Sequence, residues 1–178
     1  MLYDIYERKQ GAFPIFHDLL IGKHVADFTW LNDSSSGPEW ILVKLSKPNI
    51  EVVNANGEVH TELLKEIEIV KSWDNYFQLN PAEKTRIFGA AANFKFKIII
   101  GSKSQWQTEE SLKWRMQLNK SSNIEIRSYN TFAKSIKEIK ENLNAFFKFN
   151  QFHETSPANL LEMHWKNYAY MDTWRKLL

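Results

Sequence analysis

The chain contains no cysteine. That excludes disulfide bridges, thiolate metal sites and a cysteine nucleophile, and it agrees with a reducing, cytoplasmic setting. Glycine is scarce, with 6 in 178 residues. Neither "GAAANF" nor "IIIGSK" has the glycine spacing and lysine of a phosphate-cradling loop, and no nucleophile elbow is present. The five histidines, at His17, His24, His60, His153 and His164, show no HExxH spacing, so a histidine zinc site is not expected. Apolar residues nowhere run for the roughly 18 positions a membrane helix needs, and the opening "MLYDIYERKQ" is charged from its fourth residue. Neither a membrane span nor a signal peptide is therefore expected, and no membrane partner. A formal charge of only +2 supplies no whole-molecule field for nucleic acid. Lys95, Lys97, Lys103, Lys113, Arg115 and Lys120 form a local basic group whose plainer reading is a solvated surface.

What the chain does have is core material: 43% hydrophobic residues, including 7 Trp, 12 Phe and 6 Tyr, enough for one well-packed domain. The first twenty residues carry apolar side chains at helical intervals broken by Gly11 and Pro14, predicting two short helices. "VADFTWL" (25–31) and "EWILVKLS" (39–46) flank the turn-rich "NDSSSGP", predicting antiparallel strands of which the second is the more central. Asn56-Gly57 predicts a hairpin. Leu64, Ile67, Val70, Trp73 and Phe77 predict one face of a helix over about 62–79, with Thr61 as its cap. Asn80-Pro81 closes that helix and opens another to about Gly89. "FKFKIIIG" (94–101) reads as a strand buried on both faces. Thr108 caps a helix whose Leu112, Met116 and Leu118 are expected to face inward, "NIEIRSY" is a strand, and 130–147 is an amphipathic helix. The order predicts an α/β domain, a mixed sheet flanked by helices. Composition changes after residue 148, dividing the chain into 1–148 and an aromatic helical extension, 149–178, which packs on the core or on a partner.

The chemistry-bearing pattern lies in "EWILVKLSKP". Lys44 and Ser46 share a face of their strand because the side-chain period is two. Asp27 lies on the preceding strand, and Glu66 and Glu68 on the following helix. In a metal-dependent nuclease such a layout holds a divalent cation with two carboxylates while a lysine positions the attacking water. Position 44 has the wrong charge for a ligand. The plainer reading makes Lys44 an outward lysine guarding an edge strand and Ser46 a hydroxyl beside the Lys47-Pro48 turn.

Several stretches, in order, carry a resemblance. "FPIFHDLL" is similar to an opening helical segment and "VADF" to a "PDF" strand. "EWILVKLSKP" resembles "W-x-L-V-E-L-K-K-P", and "ELLKEIEIVKSWDNYF" resembles "A-x-x-Q-I-x-x-W-x-x-Y". "KIIIGSK" and "TEESLKWRMQLNKSSNIEIRSYNTF" resemble a strand ending "I-I-G-R" and an "R-x-L-N … I-E-I-x-T-Y-D-x-L" tail. Together, over about residues 11–141, they resemble the DUF4263 family, the nuclease domain of the Shedu anti-phage defence proteins, within the PD-(D/E)xK superfamily.

The resemblance implies a restriction-endonuclease-like fold and a cytoplasmic protein acting on foreign DNA. An active member would be a DNA endonuclease dependent on Mg²⁺ or Mn²⁺. It places Asp27 at the metal-binding aspartate, but Lys44 stands where the pattern has Glu, Ser46 where it has Lys, and Ile69 where it has Gln. Two outcomes stay open: the site is lost, or it has migrated, with Asp27 and Glu66 holding the metal and Lys44 beside the attacking water. Lys47, Lys103 and Arg115 are the expected DNA contacts. The family also implies a homo-oligomer or a related defence subunit as partner. The rival is a catalytically inactive interaction or regulatory subunit, needing no cofactor.

Overall fold

A computed structural model of the chain describes residues 15–34, 37–54, 56–88, 93–131 and 137. The α/β expectation holds. Among the described residues five strands form one mixed sheet in chain order: β1 (Ile15–Ile21), β2 (His24–Ser34), β3 (Gly37–Leu45), β4 (Asn93–Ile99) and β5 (Ile124–Arg127). The first three form an antiparallel meander, and β4 and β5 add in parallel. Parallel neighbours need long crossovers. The first carries α1 (Thr61–Leu79) and α2 (Pro81–Phe88); the second carries a short 3₁₀ turn (Ser104–Trp106) and α3 (Glu109–Ser121). No described helix is long and apolar enough to cross a membrane.

The core lies between the helices and one sheet face. Alternation along β3, β4 and β5 sends Trp40, Leu42, Phe96, Ile98, Ile124 and Ile126 into one cluster with Leu63, Ile67, Val70, Trp73 and Phe77 of α1. Aromatic edges cement its α2 end, where Phe77, Phe88 and Phe94 pack with ring centroids 4.9–5.3 Å apart. On the opposite sheet face Phe28, Trp30, Ile41, Val43 and Ile99 are buried as well. Burial on both faces explains the continuous apolar runs in β3 and at the end of β4.

Several sequence expectations need correction. Ile15–Ile21 is a strand, not part of a helix. It closes on β2 through a two-residue turn at Gly22 and Lys23, and a hairpin so short determines the pairing more strongly than the helical spacing of its apolar residues. Leu63 occupies the buried face of α1, and Leu64 is 45% exposed. His60, not Thr61, is the N-cap, its Nδ1 accepting from the Glu62 amide. In α3, Leu112 and Met116 point outward, Met116 being 68% exposed. Ser111 is the buried residue of that helix, and Trp114 and Leu118 pack on the core. The Asn56-Gly57 turn is present, with Gly57 at φ 80, but it closes a single Val53–Val59 bridge rather than two strands. The helices expected before residue 15 lie outside the described residues, as do most of 130–147 and all of 149–178.

Gly22 has φ 58, and a Cβ there would stand 2.9 Å from Tyr76 Cδ2 on α1. The β1–β2 turn is thus seated on the helix that carries part of the candidate site. Gly22→Ala meets both a left-handed backbone penalty and this contact. The expected loss is about 1–3 kcal/mol of unfolding free energy, measured by urea denaturation. An unchanged midpoint would mean that the turn shifts off Tyr76 at no cost.

Candidate functional site

The β2–β3 ladder begins at Ser34↔Gly37, and its last register pair is Phe28↔Val43. Beyond it Lys44 and Leu45 still pair with Ile98 and Ile99 of β4. The Leu45 N–H is taken by a side chain instead: Asp27 Oδ2 accepts it at 2.8 Å. The same oxygen accepts from Lys44 Nζ at 3.0 Å. A carboxylate at the point where two strands part is a strong acceptor for an amide the ladder leaves over.

Lys44 continues the Trp40–Leu42 alternation and therefore faces α1. The sheet order removes the edge-strand reading of this lysine, since β3 is the middle strand of five. Its side chain and that of Asp27 are 20% and 27% exposed. Two residues on, Ser46 is not merely a hydroxyl beside a turn. Its Oγ donates to Glu66 Oε1 at 2.9 Å, while Glu66 Oε2 is buried and has no hydrogen-bond partner among the described residues. The next residue, Lys47, reaches Glu62 Oε1 at 3.1 Å, and this bond holds the Glu62 carboxyl below its ordinary range.

These groups lie at the carboxyl ends of the three parallel strands. The strand ends are tied together by Ser46 N–H to Ile99 O, Gly101 N–H to Lys47 O, and Ile100 N–H to Arg127 O. Crevices at such strand ends are the usual ligand positions of open α/β sheets. The four sequence candidates Asp27, Lys44, Ser46 and Glu66 are thus linked as two adjacent pairs. Glu68 is not part of them, pairing instead with Lys71 on the surface of α1. Ile69 is partly buried against the core.

Sequence reasoning missed Tyr129, just past the end of β5. Its hydroxyl donates to Ser46 O at 2.5 Å, joining positions 83 residues apart. Burial pushes the Tyr129 phenol above its ordinary pKa, and the negative charges of Asp27 and Glu66 push the same way. The available signal was the "S-Y-N" of the resembling tail, which carried no chemistry until the register put Tyr129 beside Ser46. A raised tyrosine pKa stabilises the fold below the unfolded value and is lost as pH rises through the folded one. Tyr129→Phe is accordingly expected to cost about 1 kcal/mol near neutral pH and to flatten the loss of stability from about pH 10 upward. Urea midpoints of the two proteins between neutral and alkaline pH measure this. Parallel curves would contradict it.

The basic residues are dispersed. Lys97 is largely buried, 3.5 Å from Glu125 and 5.5 Å from the Trp30 ring centroid; burial lowers its pKa, against the pull of Glu125. Lys113 pairs with Glu109 on α3. The Arg115 guanidinium lies 5.1 Å from the Trp106 ring centroid. Lys103 is exposed in the loop after β4, its backbone N–H donating to Asn130 Oδ1. Of the three expected DNA contacts, Lys47 and Lys103 are exposed just past the ends of β3 and β4, whereas Arg115 is seated on the 3₁₀ turn. No protein-family model matches the chain, and no curated protein does.

Proposed function

We propose that the chain is a Shedu-like, restriction-endonuclease-fold protein of foreign-DNA defence that binds DNA at the carboxyl ends of β3, β4 and β5, its metal-dependent phosphodiesterase site being degenerate. The observation that carries this reading is the linkage of Asp27 with Lys44 and of Ser46 with Glu66 at the carboxyl end of β3. Lys47 and Lys103 are exposed just past the ends of β3 and β4, where phosphates would meet them.

The test is cleavage of plasmid and linear DNA with Mg²⁺ and with Mn²⁺, together with DNA binding measured across salt concentrations. No cleavage is expected, with affinity falling as salt rises; Lys103→Ala is expected to reduce the log–log salt slope by about 1. Cleavage abolished by both Asp27→Ala and Glu66→Ala would replace this reading with the migrated active site. Binding indifferent to salt would remove the DNA role.

A second reading, an inactive interaction or regulatory subunit, is favoured by the exposed Leu112 and Met116, one turn apart on α3, and by the pairing of Lys47 with Glu62. Failure to bind DNA at any salt, combined with self-association lost in Leu112→Ser/Met116→Ser, would select it.

A further inference from the structure

The expected metal aspartate is already coordinated. We propose that the Lys44 ammonium is a tethered cation, standing in place of a divalent metal ion at Asp27, and that it closes this position to Mg²⁺ and Mn²⁺. Asp27 Oδ2 receives two donors, Lys44 Nζ at 3.0 Å and the Leu45 N–H at 2.8 Å. One of the carboxylate's oxygens is therefore committed, and its charge is matched by a cation that cannot dissociate from the chain. A divalent ion at Asp27 would have to displace the ammonium or lie beside it, and like charges in a site partly withdrawn from water repel strongly.

The rest of the site does not offset that repulsion. Glu66 Oε1 is occupied by the Ser46 hydroxyl, and Glu66 Oε2 is turned into a buried position rather than toward solvent. Lys44 cannot easily swing away, because its side chain projects from the middle strand toward α1 and is only 20% exposed. At position 44 the metal expected from the resemblance and the residue present thus disagree, and the disagreement has a direction. Removing the positive charge at 44 opens Asp27, and placing a carboxylate there supplies the missing ligand.

The experiment is Mn²⁺ titration followed by electron paramagnetic resonance of the free ion, with thermal unfolding in Mn²⁺ and in chelator, on the wild type, Asp27→Asn, Lys44→Glu, Lys44→Met and Asp27→Asn/Lys44→Glu. The wild type is expected to bind Mn²⁺ only weakly, no better than Asp27→Asn does, and to unfold at the same temperature in either condition. Lys44→Glu is expected to bind Mn²⁺ about 100-fold more tightly than the wild type, to gain thermal stability from it, and to lose both with Asp27→Asn. Lys44→Met serves where the glutamate variant does not fold, with an expected gain of about 10-fold. The proposal is overturned by wild-type Mn²⁺ binding that Asp27→Asn abolishes, or by a folded position-44 variant that binds no better than the wild type. None of these measurements requires DNA, so this inference and the DNA reading fail separately.

Discussion

Asp27→Ala is expected to lower the unfolding free energy by about 2–4 kcal/mol, more than an exposed ion pair would account for. The reason is that one oxygen serves two donors. Without it the Leu45 N–H has lost its acceptor at the point where β2 leaves β3, and the Lys44 ammonium is left only partly hydrated. Asp27→Asn keeps an oxygen for the amide and loses only the charge, so its expected cost is smaller, about 1–2 kcal/mol. Chemical denaturation of the two variants separates the hydrogen bond from the ion pair. If Asp27→Ala unfolds within about 0.5 kcal/mol of the wild type, the carboxylate does not hold the strands and the account of the site fails.

The other large effect belongs to two fully buried tryptophans of the core, Trp40 on β3 and Trp73 on α1. Trp40→Ala and Trp73→Ala are each expected to cost about 3–5 kcal/mol, the range for emptying a large buried side chain. Phenylalanine at the same positions distinguishes them. Trp40 Nε1 donates to the Phe88 carbonyl at 3.0 Å, a bond between β3 and the end of α2. Trp73 Nε1 is buried with no acceptor among the described residues. Trp40→Phe therefore strands a carbonyl, whereas Trp73→Phe removes a polar group that gains nothing. We expect Trp40→Phe to be the more destabilising by about 1–2 kcal/mol in matched urea titrations. The reverse order would show that volume at position 73, not hydrogen bonding at position 40, dominates.

Where sequence expectation and structure part company, the cause is competition between patterns. Ile15–Ile21 carries apolar residues at helical spacing, yet it pairs with β2 because the two-residue turn at Gly22 brings the next strand within hydrogen-bonding reach. Leu63 and Leu64 are adjacent and equally apolar, and only packing against the sheet shows which of them α1 buries. Leu112 and Met116 have the spacing of an inward face, but Trp114 and Leu118 are the residues that meet the core. Periodicity finds a helix more reliably than it finds the angle at which the helix is set down. The candidate site shows the same division. Strand alternation, the spacing along α1 and the resemblance together point to Asp27, Lys44, Ser46 and Glu66, but not to Tyr129.

The amino-acid sequence by itself determined the order of strands and helices from β2 to β5, the turn at Gly57, the Thr108 cap and the two-face burial at the end of β4. Each of these depends on residues within a few positions of one another, where propensity, period and capping act directly. Only the tertiary structure decided that Lys44 lies on a middle strand, that its ammonium is spent on Asp27, that Ser46 meets Glu66, and that Tyr129 reaches Ser46 from 83 residues away. Those contacts depend on sheet register and on which charges are withdrawn from water together, quantities that no local pattern contains.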